Sequence, residues 1–347
     1  MKRVQHCPQS VAELDEFASE PDRAIVETLS RIDGDLVVAG AGGKMGFHLA
    51  LMLRRAINEL GTGQKVIAIS RFGEPRAREP FEAAGIETIA ADLCDASIYA
   101  GLPDAAAVFF LAGKKFGTSG SPEELRRVNE EMPSLVAGRY AASRIVAMST
   151  GCVYPFVAPG TGGSIESDRP APLGDYALSC LGRERAFLEA SDVHKTPIAL
   201  IRLNYSVDLR YGVLVDLAAK IVAGEPIDLT MGYFNCLWQG DAVAWTIRAI
   251  NHACAAPEAL VLNVTGSRIL SVREVAESLG AQLNYVVNFT GEETETAWIS
   301  NAARAQRLFG TPRVCENTLI GWVAEWVGLG RPLLGKPTHF EVRDGRY

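Results

Sequence analysis

Leu36-Val37-Val38-Ala39-Gly40-Ala41-Gly42-Gly43-Lys44-Met45-Gly46 is the stretch on which the reading of this chain turns. Its first four residues are an apolar run of the kind found in a doubly buried strand. Glycines at 40, 43 and 46 then free the backbone for a tight turn, and Phe47-His48-Leu49-Ala50-Leu51-Met52-Leu53 continues at once in a helical pattern. A strand that delivers the chain to a glycine turn and a helix builds an anion site from backbone alone. The helix aims its unsatisfied N–H groups and positive dipole end at the turn, and positions without side chains let a pyrophosphate approach. Lys44 and Met45 lie in the same loop. With strand before and helix after, the glycine triplet points to a dinucleotide.

Working outward, apolar runs predict strands at 35–39, 65–70, 87–91, 106–111, 144–149, 197–202 and 259–264, mostly of the doubly buried kind. Helical patterns lie between them, among them 47–60, 122–141 and 176–190. The alternation predicts an α/β fold, a Rossmann-type doubly wound parallel sheet with right-handed crossovers. Residues 1–33 precede it as a helical extension. Ser10 with Glu13 has capping-box spacing, and Asp22 is placed to cap a second helix near 23–31. We expect this extension to cover a sheet edge or a subunit interface. The most loop-like stretch is 157–174, and long loops in compact domains are often functional.

Bulk properties narrow the function. A chain of 347 residues with 48% hydrophobic content supplies a sizeable core and room for a second, smaller domain. A formal charge of −7 argues against a nucleic-acid or anionic-membrane partner. No apolar run approaches the roughly 20 residues that span a bilayer, and the polar N-terminus has no signal-peptide pattern. The seven cysteines are odd in number and scattered without a Cys-x-x-Cys pair. They are expected to be reduced thiols of a cytoplasmic protein, with no metal site. His6, His194, His252 and His339 have no motif around them, and His48 is expected to be structural.

The end of the second strand tells the two nicotinamide dinucleotides apart, because an acidic residue there reads a ribose 2′-hydroxyl and a cation a 2′-phosphate. Here Val66-Ile67-Ala68-Ile69 runs into Ser70-Arg71, with no carboxylate. A guanidinium clamps phosphate bidentately, so the expectation tilts to NADP over NAD. Asp92-Leu93 closes the third strand, where a carboxylate is placed to accept from an adenine amino group.

These residues and several others resemble the extended short-chain dehydrogenase/reductases, the NAD(P)-dependent epimerase/dehydratase superfamily. The match is Gly40-x-x-Gly43-x-x-Gly46, Asp92-Leu93, Leu111-Ala112-Gly113 after the fourth strand and Asn129 in the next helix. Ser149-Thr150-Gly151-Cys152-Val153-Tyr154 follows the fifth strand, Tyr176 lies 26 residues past Thr150, and Gly240-Asp241-Ala242 comes later. The resemblance covers about residues 34–330. It implies a nucleotide-binding domain over 34–202 plus 237–264, a smaller C-terminal α/β substrate domain over 203–236 plus 265–347, an active site between them, and a homodimer. It also implies action at a hydroxyl-bearing carbon of a sugar, sugar nucleotide or related polyol, as an oxidoreductase or epimerase.

By the same resemblance Tyr176 is the acid/base, Thr150 orients the substrate oxygen and Asn129 supports them. In such enzymes a lysine four residues after the tyrosine lowers its pKa and holds the ribose. That help is needed, since a tyrosine near pKa 10 is only about 0.1% ionised at pH 7. Here the segment reads Tyr176-Ala-Leu-Ser-Cys180, and the lysine is a cysteine. Three explanations stand. Lys115 or Arg183 supplies the missing cation; Tyr176 works with the cofactor's own positive charge; or the chain is a dinucleotide-binding sensor or scaffold that has lost hydride transfer. The run Leu111 to Gly117 and Cys152-Val153-Tyr154-Pro155 look like stretches of GDP-fucose synthase, which marks Lys115 and Cys152 as substrate-side candidates. The histidine that would partner Cys152 is replaced by Tyr211-Gly212. Arg202-Leu203-Asn204-Tyr205 is an altered form of the family's Arg-x-x-Asn-x-Tyr-Gly, with Asn204 placed for the cofactor and Tyr205 for the substrate. Arg210-Tyr211 and residues 231–238 are expected to line the substrate cleft, and Trp238, Trp298, Trp322 and Trp326 to serve packing.

Overall fold

The computed structural model describes residues 6–115 and 121–345. Phe116 and Gly117, used above in the comparison with GDP-fucose synthase, lie outside them. Seven strands form one parallel sheet: β1 (Leu36–Ala39), β2 (Val66–Ser70), β3 (Glu87–Ala90), β4 (Ala107–Phe110), β5 (Arg144–Thr150), β6 (Ile198–Leu203) and β7 (Leu260–Val264). Their order across the sheet is β3-β2-β1-β4-β5-β6-β7. The winding reverses between β1 and β4, and a parallel sheet opens a crevice beyond its carboxyl ends at such a point.

Side chains of β1 show why the run is apolar on both sides. Leu36 and Val38 enter the core on one face of the sheet, Val37 and Ala39 the core on the other, and all four are fully buried. β3 departs from the expectation of a doubly buried strand. It is an edge strand with Glu87 and Ala90 exposed, and Glu87 pairs with Lys65 on the neighbouring chain segment. A strand with one neighbour has half its surroundings in water, and its charges blunt the open edge.

The helix that follows the glycine loop, α3 (Gly46–Leu60), buries Leu49, Leu53, Ala56 and Ile57 against the sheet. Each fully buried aliphatic side chain of this size contributes about 1.5–3 kcal/mol. The pattern expected as one helix over 122–141 is broken. Helix Pro122–Arg126 runs into a π-helical turn at Arg127–Glu131 before Met132–Arg139 resumes. Pro133 has no N–H to give to the carbonyl of Asn129 four residues back, so the regular ladder cannot pass through it.

A third core lies beyond the sheet's carboxyl end. It gathers Leu214, Leu217 and Ile221 from helix Val213–Val222, Val275 and Leu279 from Val272–Leu283, and Leu319, Trp322 and Trp326 from Glu316–Gly328. Trp238 and Trp298 are buried in it too. One helix of the C-terminal segment, Ala303–Phe309, packs Ala305 and Phe309 into the sheet core instead.

The two helices of the extension form as their caps predict. Ser10 Oγ accepts from the Glu13 N–H ahead of α1 (Val11–Ala18), and Asp22 accepts from the Ile25 N–H ahead of α2 (Arg23–Leu29). They cover helices and not a sheet edge. Helix α2 lies on α3 and on helix Gln239–Arg248. From α1, Phe17 packs on Trp238 and Trp322 at 5.7 and 5.6 Å, with the Arg313 guanidinium 4.0 Å from its ring centre. The extension therefore ties the sheet side to the C-terminal core.

Candidate active site

The glycine turn is shaped by contacts that leave no room for a side chain. Gly40 has φ +87°, and a Cβ on it would collide with the backbone of Ala112 after β4. A Cβ on Gly46 would run into the Ala41 carbonyl. At Gly43 a Cβ would meet only the Gly40 carbonyl at 3.5 Å, so packing does not demand that glycine; its bareness leaves the loop open. Among the described residues no side chain caps α3, and its first N–H groups face the turn. Gly42 also belongs to the design, because a Cβ there would sit 2.6 Å from the Ser70 hydroxyl at the end of β2. Arg71 beside it is exposed. Asp92 accepts the Cys94 N–H at 3.0 Å and lies 3.5 Å from the Arg127 guanidinium.

A cavity of about 340 Å³ opens beside this turn. Gly43, Lys44, Met45 and Gly46 form one wall, and Leu111, Gly113, Lys114 and Lys115, leaving β4, form another. Met148 and Ser149 of β5 close the base with Tyr176 and Arg183 from helix Gly174–His194. Tyr205, Tyr211, Gln239 and Thr338 complete it from the C-terminal side. Among the described residues of these walls stand four cations and no carboxylate. Lys44 Nζ sits 3.1 Å from the centre of the Tyr211 ring, and burial first, then the charges of Lys336 and Lys115, push its pKa down to about 8. Lys115 Nζ donates to the Thr338 carbonyl at 3.3 Å and lies 5.9 Å from the Tyr176 ring centre. Its pKa is also lowered by burial.

Tyr176 and Cys180 pack together with Val153, Tyr154 and Leu181. Burial, followed by the thiols of Cys180 and Cys152, holds the Tyr176 hydroxyl well above the usual tyrosine range, and the charge of Arg183 opposes them. Cys180 is fully buried and itself raised by burial. Asn129 is fully buried under the same site. Its Oδ1 accepts from Arg183 Nη2 at 2.6 Å and from the Lys114 N–H at 3.1 Å, while its Nδ2 donates to the Lys114 carbonyl and to Ser179 Oγ. Thr150 accepts the Cys152 N–H at 3.2 Å, which turns the chain at the end of β5.

A model of the NAD dependent epimerase/dehydratase family matches residues 36–231, more than half of the chain and every strand from β1 to β6. The chain belongs to that family. It is an enzyme of the extended short-chain dehydrogenase/reductase type, with an NAD(P)-binding Rossmann sheet. No curated protein sequence matches it significantly. Among solved structures it is similar to the UDP-glucuronic acid 4-epimerase of Bacillus cereus in complex with UDP-glucuronic acid and NAD, at 16% identity and a TM-score of 0.67. A UDP-galactose 4-epimerase gives 20% and 0.67, and the UDP-glucose 4-epimerase of Thermotoga maritima with UDP-glucose 15% and 0.69. Each comparison covers 85% of this chain and 99% of the other. At these identities the likeness shows the fold.

Several residues expected at the site of this family member are engaged elsewhere. Arg210 does not line the cleft: Asp208 holds its guanidinium at 2.6 Å and Asp15 of α1 at 3.0 Å. The adjacent Tyr211 takes the cleft position. Asn204 spends its Nδ2 on Asn235 Oδ1 and the Trp298 carbonyl. Residues 231–238 supply Met231, Phe234, Cys236 and Trp238 to the C-terminal core and none of the cleft's wall. Leu93 packs in the sheet core and its carbonyl accepts from Tyr99 Oη, which leaves it no side chain for a ligand. His48, just after the glycine loop, is buried between Asp15 at 2.7 Å and Gln239 at 2.8 Å. Gln239 and Thr338 had no local signal, since both reach the cleft from segments remote in sequence.

Proposed function

We propose that this protein is an NAD(P)-dependent oxidoreductase or epimerase acting at a hydroxyl-bearing carbon of a sugar nucleotide, with Tyr176 as its acid/base and NADP as its preferred dinucleotide. The observation that carries the proposal is that Tyr176 shares one cleft wall system with the glycine turn, so a proton acceptor and a dinucleotide cradle face the same space. A bound nicotinamide would supply the hydride acceptor. The chain's own part is to orient the substrate hydroxyl, take its proton on Tyr176 Oη and return it. Phosphate groups suit a cleft walled by Lys44, Lys114, Lys115 and Arg183. Nucleotide sugars are the ligands named for the Bacillus cereus and Thermotoga maritima structures, which agrees with that chemistry.

On this reading the turn at Gly40–Gly46 and the N-terminus of α3 hold the pyrophosphate. Ser70 and the exposed Arg71 meet the adenosine ribose and its 2′-phosphate. Asp92 faces the adenine, and Leu111-Ala112-Gly113 the nicotinamide half. Thr150 and Asn129 support Tyr176, and Lys115, Cys152 and Tyr205 meet the substrate. Residues 34–202 plus 237–264 form the nucleotide side and 203–236 plus 265–347 the substrate side, in a homodimer. The test is to incubate the protein and Tyr176→Phe with UDP-glucuronic acid, UDP-glucose and UDP-galactose, following nicotinamide absorbance and the epimer formed by NMR. Full activity in the Tyr176→Phe protein would sink the mechanism. Tight dinucleotide binding with no turnover on any of the three would favour the sensor. For the cofactor, Arg71→Ala should weaken NADP far more than NAD, and equal losses would refute the 2′-phosphate role.

A further inference from the structure

Arg183 is only 6% exposed, and it is one of the walls of the cleft. Its Nη2 donates to Asn129 Oδ1 at 2.6 Å and its Nη1 to the Met148 carbonyl at 3.0 Å. The third nitrogen, Nε, is buried and has no partner among the described residues. A charged group stripped of water with a nitrogen left unmatched is costly, and on a cleft wall that cost is offset by an anionic ligand beside the charge. Room for the guanidinium is made by Gly113, where a Cβ would collide with Nη2.

Helix geometry explains why this arginine reaches the site. Tyr176, Cys180 and Arg183 are spaced i, i+4, i+7 and share one helix face. Side chains on a helix lean toward its N-terminus, so a long side chain lies over the turn before its own Cα. From 180 to 183 the helix rises about 4.5 Å, a distance the arginine stem recovers and a cysteine does not. A planar fork with five N–H donors can also serve Asn129, the Met148 carbonyl and a ligand oxygen together, which an ammonium does poorly.

We infer that Arg183 is the positioning cation of this site, placing its charge beside Tyr176 from three residues beyond the cysteine at 180 and meeting the bound dinucleotide from the cleft wall. The inference rests on Tyr176 being the acid/base, and its test needs no substrate. NADP and NAD affinities are measured by fluorescence quenching for the wild type, Arg183→Gln, Arg183→Lys and the double variant Cys180→Lys/Arg183→Gln. Tyr176 ionisation is followed in the NADP complexes by NMR of ¹³Cζ-labelled tyrosine, its signal assigned by loss in Tyr176→Phe.

Arg183→Gln should weaken both dinucleotides by about tenfold or more, and Tyr176 should ionise at least about one pH unit higher. The lysine added at 180 should restore both. A folded Arg183→Gln protein that binds within about twofold of wild type would overturn the inference. So would an unmoved Tyr176 signal, or one that fails to ionise in wild type over the accessible range. If Arg183→Gln does not fold, Arg183→Lys decides. Weaker binding with Tyr176 within about half a unit of wild type supports the inference, and a rise of about a unit or more overturns it. Failure of every sugar nucleotide to turn over would leave these readouts intact, which separates this inference from the proposed function.

Discussion

Replacing Glu184 with glutamine should be among the most damaging single changes in the chain. Glu184 is 2% exposed and stands on the same helix as Tyr176. Its Oε2 accepts from Arg202 Nη2 at 2.7 Å, and its Oε1 from Arg202 Nε at 2.9 Å and from Ser149 Oγ at 2.6 Å. Among the described residues Arg202 has one further side-chain partner, the Tyr154 hydroxyl at 2.7 Å. The pair therefore binds the Tyr176 helix to β5 and β6 at once. A glutamine removes the charge, and its NH₂ group must face the guanidinium whichever way the amide is turned. Breaking a buried pair by neutralising one partner costs about 3–5 kcal/mol, because the other charge stays buried without compensation. Against a total stability of roughly 5–15 kcal/mol that is a large fraction, and at about 2 °C per kcal/mol for a chain above 150 residues it lowers Tm by roughly 6–10 °C. Urea denaturation and calorimetry measure it, with Glu184→Gln, Arg202→Met and the double variant forming a cycle. The double variant should recover at least half the loss, since it no longer buries a lone charge. A Glu184→Gln protein within about 1 kcal/mol of wild type would refute the reasoning, because the pair would then behave like an exposed one.

Gly46→Ala places a methyl against the Ala41 carbonyl. It should cost about 1–3 kcal/mol of stability and reduce dinucleotide affinity by about a hundredfold or more, read by calorimetric titration. Affinity within tenfold of wild type would show that the turn is not the cradle. Lys44, held near pKa 8 by burial and its cationic neighbours, should make dinucleotide binding pH-dependent. Below pH 8 it carries the charge that favours an anion, above pH 8 it loses it, and a bound anion raises its pKa. Kd should therefore climb by up to about tenfold between pH 7 and 9.5, and Lys44→Met should flatten the climb. A wild-type Kd constant over that range would contradict the assignment. Ser70→Val should disturb the turn through Gly42, whose backbone approaches the Ser70 hydroxyl, with dinucleotide affinity falling several-fold; unchanged affinity would remove Ser70 from the site.

The parts of the molecule legible in the sequence are those in which one local rule settles the outcome. Runs such as Leu36–Ala39 and Val66–Ser70 read as strands because both faces of a parallel sheet demand apolar side chains, and the two capped helices of the extension read from Ser10 and Asp22. The π-helical turn at Arg127–Glu131 escaped the helical pattern, although Pro133 was there to announce it. Arg210 misled for a physical reason. A guanidinium beside a tyrosine suggests a ligand, yet its partners, Asp208 and Asp15, come from two residues and 195 residues away. Asp15 lies in the extension, whose contacts no local pattern reports. The same holds for Thr338 and Gln239, which meet the cleft only because the chain returns to it.

The cysteine at 180 is the sharpest conflict between a local expectation and this chain, and the resolution we infer draws on residues from separate segments. Arg183 stands in the sequence as one of two candidate cations and Gly113 as part of the Leu111-Ala112-Gly113 pattern, and the fold puts one against the other. Asn129 then accepts from the guanidinium and bonds Ser179 on the same helix, so three segments converge on one fork of N–H donors. Burying an arginine here without a use would cost stability through its unmatched Nε and would also demand glycine at 113. A chain that had dropped its chemistry would be free to replace both with packed apolar residues, often at no loss of stability. Retaining that costly arrangement beside Tyr176 is what a moved charge requires and what an abandoned one does not.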